Sequence, residues 1–112
     1  MGKTMSEKIL AKAAGKESVS AGDIEWVKVD IAMTDDVLGP RIEIAEHMKR
    51  IHDQVWDPEK LVVISDHYTP PANANQAEMV KFTRDWSHEH GVKHYYEYLG
   101  PCHQIMAEKG FD

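Results

Sequence analysis

Leu61-Val62-Val63-Ile64, followed at once by Ser65-Asp66-His67, runs four apolar residues straight into a hydroxyl, a carboxylate and an imidazole. Turn signals stand on both sides, Asp57-Pro58 before the run and Pro70-Pro71 after it. A short, unbroken apolar run between such signals suits a strand buried on both faces of a parallel sheet. In open α/β sheets, functional groups gather in the loops at the carboxyl ends of the strands. Ser65-Asp66-His67 therefore falls where chemistry is expected.

The elements to either side alternate around that strand. Upstream, the segment from Ile24 to Met33 is rich in β-branched and aromatic residues and predicts a strand. Gly39-Pro40 punctuates it, and Ile42, Ala45, Met48 and Ile51 then recur at the three-residue spacing of a helix face. Thr4-Met5-Ser6-Glu7 is a capping box, with Ile9, Leu10 and Ala13 expected on one helical face and Gly15 as the stop. Downstream, Asn75 with Glu78 predicts a helix start, with Met79, Phe82 and Trp86 at helical spacing and Gly91 closing the segment. His94-Tyr95-Tyr96-Glu97-Tyr98 predicts a third strand, and residues 102 to 108 open a last helix after Gly100-Pro101. Alternating helices and strands predict an α/β fold, a three-layer α/β/α arrangement with a mainly parallel sheet and right-handed crossovers.

Composition narrows the function classes. At 112 residues the chain has the length of one domain, and 42% hydrophobic with 29% charged residues is the balance of a globular chain. A net charge of −6 leaves no basic stripe to gain from counterion release, which argues against nucleic acid as a partner. No apolar run approaches the roughly 20 residues that cross a bilayer, and the opening residues lack the apolar core of a secretory signal. The single cysteine, Cys102, excludes an intrachain disulfide framework. A cytoplasmic chain with no membrane partner is expected.

Parallel strands would bring three loops to one edge: Thr34-Asp35-Asp36, Ser65-Asp66-His67 and Pro101-Cys102-His103-Gln104. A carboxylate beside an imidazole favours the imidazolium, which makes His67 a candidate general acid. Adjacent side chains on extended backbone point apart, so Asp66 either pairs with His67 or caps the loop backbone. His103, at a helix start, is placed to polarise or hold an anionic substrate, or else to cap the helix. Cys102 is expected as a buried, inert thiol. His88, His90 and His94 lack the i, i+4 geometry of a helical metal site and are expected at a solvated helix end. His47 and His52 are expected on the surface, and Trp26, Trp56 and the tyrosines in packing.

Three stretches together resemble a known family. They are Gly22-Asp23, Val29-Asp30-Ile31-Ala32-Met33-Thr34, Asp36 and Gly39-Pro40; then Val55-Trp56-Asp57-Pro58-Glu59-Lys60 with Ser65-Asp66-His67-Tyr68 and Pro70-Pro71; then Gly100-Pro101-Cys102-His103-Gln104-Ile105-Met106-Ala107-Glu108-Lys109-Gly110. In order and over essentially the whole chain, they resemble the start of the large subunits of the aconitase / 3-isopropylmalate dehydratase family. The resemblance implies that residues 1–112 are one partial α/β domain, the amino-terminal fragment of a larger large subunit. It implies an iron-sulfur hydro-lyase of leucine-biosynthesis type, which dehydrates and rehydrates a hydroxy di- or tricarboxylic acid. Asp66, His67 and His103 match catalytic positions, and Asp36 a substrate-binding one. The implied cofactor is a 4Fe–4S cluster whose cysteines lie downstream, so no metal ligand is assigned here and this chain alone is expected to be inactive. The implied partners are the small, swivelling-domain subunit, the downstream part of the large subunit and the carboxylic acid substrate.

Two departures keep other readings open. Asp35 stands where the family usually has histidine, and Pro101 replaces the usual isoleucine. A homoaconitase or 2,3-dimethylmalate dehydratase is the first alternative. A non-catalytic, histidine-rich metal- or ligand-binding or interaction domain is the second.

Overall fold

The computed structural model describes residues 2–111 and divides into two compact units, one up to Asp30 and one from Ile31 onward. Each is described by itself.

The first unit is built on helix α1, Met5–Ala14. The capping box forms in full: Thr4 Oγ1 accepts from Glu7 N at 3.2 Å, and Thr4 N donates to Glu7 Oε2 at 2.7 Å. Gly15 ends the helix in the left-handed region, where a side chain would be strained. The packed face differs from the expected one. Ala11 is the buried residue of the helix, whereas Ile9 and Leu10 are exposed, and the returning chain bonds the helix through Lys28 N to Ala13 O at 3.1 Å.

The predicted strand from Ile24 to Met33 is corrected to a short β1, Ala32–Asp35. Ile24 and Trp26 are each 96% exposed. Strand propensity expresses side-chain packing and ladder pairing with neighbours, and residues 24–30 belong to no strand ladder among the described residues.

The second unit carries β1, α2 (Ile42–Ile51), β2 (Leu61–Ser65), α3 (Ala74–Glu89), β3 (His94–Glu97) and α4 (Cys102–Lys109). The sheet order is β1-β2-β3 and both pairings are parallel, with Thr34 opposite Val63 and Ser65 opposite Glu97. The apolar run is the central strand: Val62, Val63 and Ile64 are essentially inaccessible. Because side chains alternate across a strand, Val63 packs with Ala45, Trp86 and Val92 on one face, while Val62 and Ile64 pack with Cys102 and Ile105 on the other. Helices α2 and α3 thus cover one face and α4 the opposite one, giving the three layers of an α/β fold.

Local chemistry explains the element edges. Helix α3 begins before the expected Asn75, because Asn73 is the cap: its Oδ1 accepts from Gln76 N at 3.0 Å, and Gln76 Oε1 accepts from Ala72 N at 2.8 Å. Thr83 Oγ1 reaches Pro40 O at 3.1 Å and so ties α3 to the turn after β1. Among the described residues, no helix is long and apolar enough to cross a membrane.

Candidate active site

The site is assembled where three strands end on one edge. At the close of β1, Asp35 Oδ1 accepts from Val37 N at 2.9 Å and Leu38 N at 2.8 Å, folding the backbone into a tight turn. Gly39 completes that turn. A Cβ there would sit 2.2 Å from Asp35 O, a distance that no side chain tolerates.

The turn drives Asp36 inward until it is fully buried. Its two oxygens accept from the backbone of the β2 loop, Oδ1 from His67 N and Oδ2 from Tyr68 N, both at 3.1 Å. Asp66 makes the second link. Its Oδ2 accepts from Cys102 N at 2.6 Å, at the amino end of α4, where unpaired helix N–H groups favour a carboxylate. Two aspartates therefore stitch all three strand-end loops together.

The His67 ring sits among these carboxylates. Its Nδ1 lies 2.7 Å from Asp66 Oδ1, 3.3 Å from Asp36 Oδ1 and 3.9 Å from Asp35 Oδ2, and 46% of the side chain remains exposed. Asp66 Oδ1 is buried and off the line of the ring N–H, so the contact is an ion pair rather than an aligned hydrogen bond. The sequence left open whether Asp66 pairs with His67 or caps a loop; it does both, one oxygen each.

Burial alone would lower the His67 pKa, but it is outweighed by the charge and hydrogen-bonding capacity of Asp66, with Asp35 and Asp36 adding to it, and the net shift is upward. Burial pulls the other way on Asp66, and there the Cys102 N–H and His67 win, holding its carboxyl below the ordinary value. A histidine whose folded pKa lies above the unfolded value of about 6.5 adds stability below that pH and loses it as pH rises through the folded pKa. In an NMR titration His67 is expected to have its midpoint above about 6.5, and Asp66→Asn is expected to lower it. A midpoint at or below that reference would disprove the carboxylate nest.

One ligand-type atom each from Asp35, Asp36 and His67 fall within 4.8 Å of one another. Asp36 commits both oxygens to backbone N–H groups, so the trio reads as a seat for imidazolium. His103 is exposed at the second position of α4, one residue beyond the N–H that Asp66 holds. Its backbone thus follows directly on the Asp66–Cys102 link, while Asp66's other oxygen faces His67. Cys102 is buried, and burial together with the Asp66 carboxylate pushes its thiol up, keeping it protonated and inert. Iron–sulfur clusters are held by several cysteine thiolates. One protonated thiol does not fit that role, and this chain's own residues do not make up a cluster's ligand set.

The histidine cluster requires a correction. His90 is not solvated: its side chain is 9% exposed, stacks on Trp86 at 4.1 Å and bonds Trp86 O through Nδ1 at 2.9 Å. The ring thus packs back on Trp86, one helical turn earlier. His88, His47 and His52 are exposed as expected, and His94 packs edge-on against Phe111 at 4.8 Å.

Sequence reading missed a second polar assembly at the same edge. Arg84 grips Glu97 through two 2.9 Å bonds, Tyr95 Oη donates to Glu97 Oε2 at 2.7 Å, and Ser65 Oγ lies 3.3 Å from Tyr95 Oη. The available signal was the i, i+2 spacing of Tyr95 and Glu97, which puts both on one face of β3.

No family model matches the chain. It is 43% identical over 111 residues, 98% of its length, to the "Probable 3-isopropylmalate dehydratase large subunit" of Methanothermobacter thermautotrophicus. It is equally similar to "3-isopropylmalate dehydratase large subunit 1" of Methanopyrus kandleri, and 39% identical to the chloroplastic large subunit of Arabidopsis thaliana over 97% of this chain. The chain spans about a quarter of the length of these relatives, 26%, 26% and 24% respectively.

Proposed function

We propose, from the premise that the chain corresponds to an amino-terminal portion of the 3-isopropylmalate dehydratase large subunits, that it contributes acid–base groups to an aconitase-type hydro-lyase site. Residues 1–112 act as part of a larger large subunit. The reaction is the reversible loss and return of water on a hydroxy di- or tricarboxylic acid. The observation that carries this reading is the His67 imidazole held at a strand-end edge by Asp66, Asp36 and Asp35.

A protonated imidazole half-open to solvent is placed to give its proton to a departing hydroxyl. Asp66 raises the ring's affinity for that proton and stabilises the charge. Asp36 acts by holding the loop that carries His67; its full burial and its two backbone bonds support a positioning role in the substrate site over direct contact with substrate. His103, exposed in the first turn of α4, is read as the second catalytic histidine.

A 4Fe–4S cluster, bound by polypeptide beyond these residues, would supply Lewis-acid chemistry at the hydroxyl. The small subunit and the rest of the large subunit complete the pocket. The single reduced cysteine supports a cytoplasmic setting.

The test is turnover. A full-length large subunit, assembled with its small subunit and reconstituted with iron and sulfide, is expected to hydrate a 2-substituted maleate. Failure of that assembly to hydrate any such acid would refute the hydro-lyase reading.

A further inference from the structure

Glu97 accepts three bonds on its two carboxylate oxygens, two from the Arg84 fork at 2.9 Å and one from Tyr95 Oη at 2.7 Å. The phenol's one proton is thereby committed, so Ser65 Oγ is the donor in its 3.3 Å contact with Tyr95 Oη. The assembly thus reaches residue 65, whose neighbour is Asp66. From Glu97 itself a four-residue turn leads to Cys102, whose N–H Asp66 holds at 2.6 Å. Both partners of the Asp66–Cys102 bond are therefore tied, through short backbone, to one carboxylate.

That turn needs a hold of its own. Among the described residues β3 is an outer strand, paired on one side by β2, and Glu97 is its last residue. Tyr98 then takes φ 59°, the left-handed region that a bulky aromatic seldom adopts, and Gly100 follows at φ 142°. Such conformations persist where the surroundings over-determine them. Tyr95 packs against the cluster of Val63 and Trp86, whereas Cys102 and Ile105 pack on the opposite face of the sheet. The turn carries the chain from one layer to the other, and Glu97 is its anchor on the first.

An ion pair whose side chains are 37% and 23% exposed contributes at most modestly to global stability. Placement is a different matter, since a shift of about 1 Å from a change remote from the chemistry can cost about 100-fold in rate. We propose that Glu97, gripped by Arg84 and Tyr95, is a positioning residue: it sets the reach of the 98–101 turn so that the start of α4, with His103, stays docked on Asp66. This rests on the hydro-lyase reading above and adds to it the device that keeps the second and third loops in register.

The experiment uses the full-length large subunit with its small subunit and cluster, hydrating a 2-substituted maleate. Glu97→Ala is expected to lower kcat about 10–100-fold and to change KM less than about threefold, because placement of acid–base groups counts in the transition state. Arg84→Lys keeps the charge but loses the two-pronged grip, and is expected to lower kcat about fivefold or more. Amide hydrogen exchange supplies a readout that a purely structural role would not give. The start of α4 is expected to exchange about tenfold faster in both variants, while Leu61–Ser65 stays unchanged. Exchange that rises equally in both places makes the pair a general brace and overturns the proposal. A kcat within about twofold of an active wild type in both variants also overturns it, and leaves the hydro-lyase reading standing. A wild type that hydrates no such acid overturns both.

Discussion

His67→Ala, made in the full-length large subunit assembled with its small subunit and cluster, is expected to lower kcat by about 100-fold or more, the usual effect of losing a positioned general acid. The expectation follows from geometry on this chain. Three carboxylates surround one ring nitrogen at 2.7, 3.3 and 3.9 Å, which shifts the ring toward its protonated, proton-donating form. KM is expected to change much less, because proton donation is needed in the transition state and contributes little to ground-state binding. The side chain is 46% exposed and belongs to no core cluster, so the loss would not come from unfolding. An unchanged kcat would remove His67 from its assigned role. Equal losses in kcat and stability would make the residue structural.

Asp36→Ala is expected to destabilise the chain by about 2–5 kcal/mol. It strands two backbone N–H groups, His67 and Tyr68, at a place the side chain fills completely, and each unsatisfied buried donor costs about 1–3 kcal/mol. The cavity left by the carboxylate adds to the loss. Urea unfolding is expected to show a lower midpoint with an unchanged slope, since the same surface is exposed on unfolding. Asp36→Asn, which keeps one acceptor oxygen, is expected to lose less. A midpoint that does not move in the alanine variant would show that the loops after β1 and β2 are held by something else.

The contrast between these substitutions reflects what each aspartate does in the site. Asp35 shapes its own turn, Asp36 ties that turn to the next loop, and Asp66 ties the second loop to the third. In sequence they are simply acidic residues after predicted strands. Asp36 reads as a substrate contact by resemblance, and only its burial and its two backbone partners point to positioning. Asp35 reads as a departure from the family's histidine, yet its Oδ2 still faces the His67 ring.

Other features follow the same division. The capping box at Thr4, the buried strand Leu61–Ser65 and the start of α4 are legible because each depends on residues a few positions apart. The extended Ile24 to Asp30 segment, the exposed Ile9 and Leu10, and the packed His90 are not. Each depends on whether another element arrives to cover the side chain, and hydrophobicity alone does not report that. The Arg84–Glu97 pair is 13 positions apart and forms only once α3 and β3 belong to one packed unit, which no local pattern encodes.

From its residues alone, this chain determined the alternation of elements, the central strand and the edge at which its polar groups would collect, because periodicity and turn chemistry act over short range. Tertiary structure alone decided which oxygen met which nitrogen. The parallel register sets the ends of β1, β2 and β3 side by side, and residues about 30 positions apart become hydrogen-bond partners only once the sheet has closed.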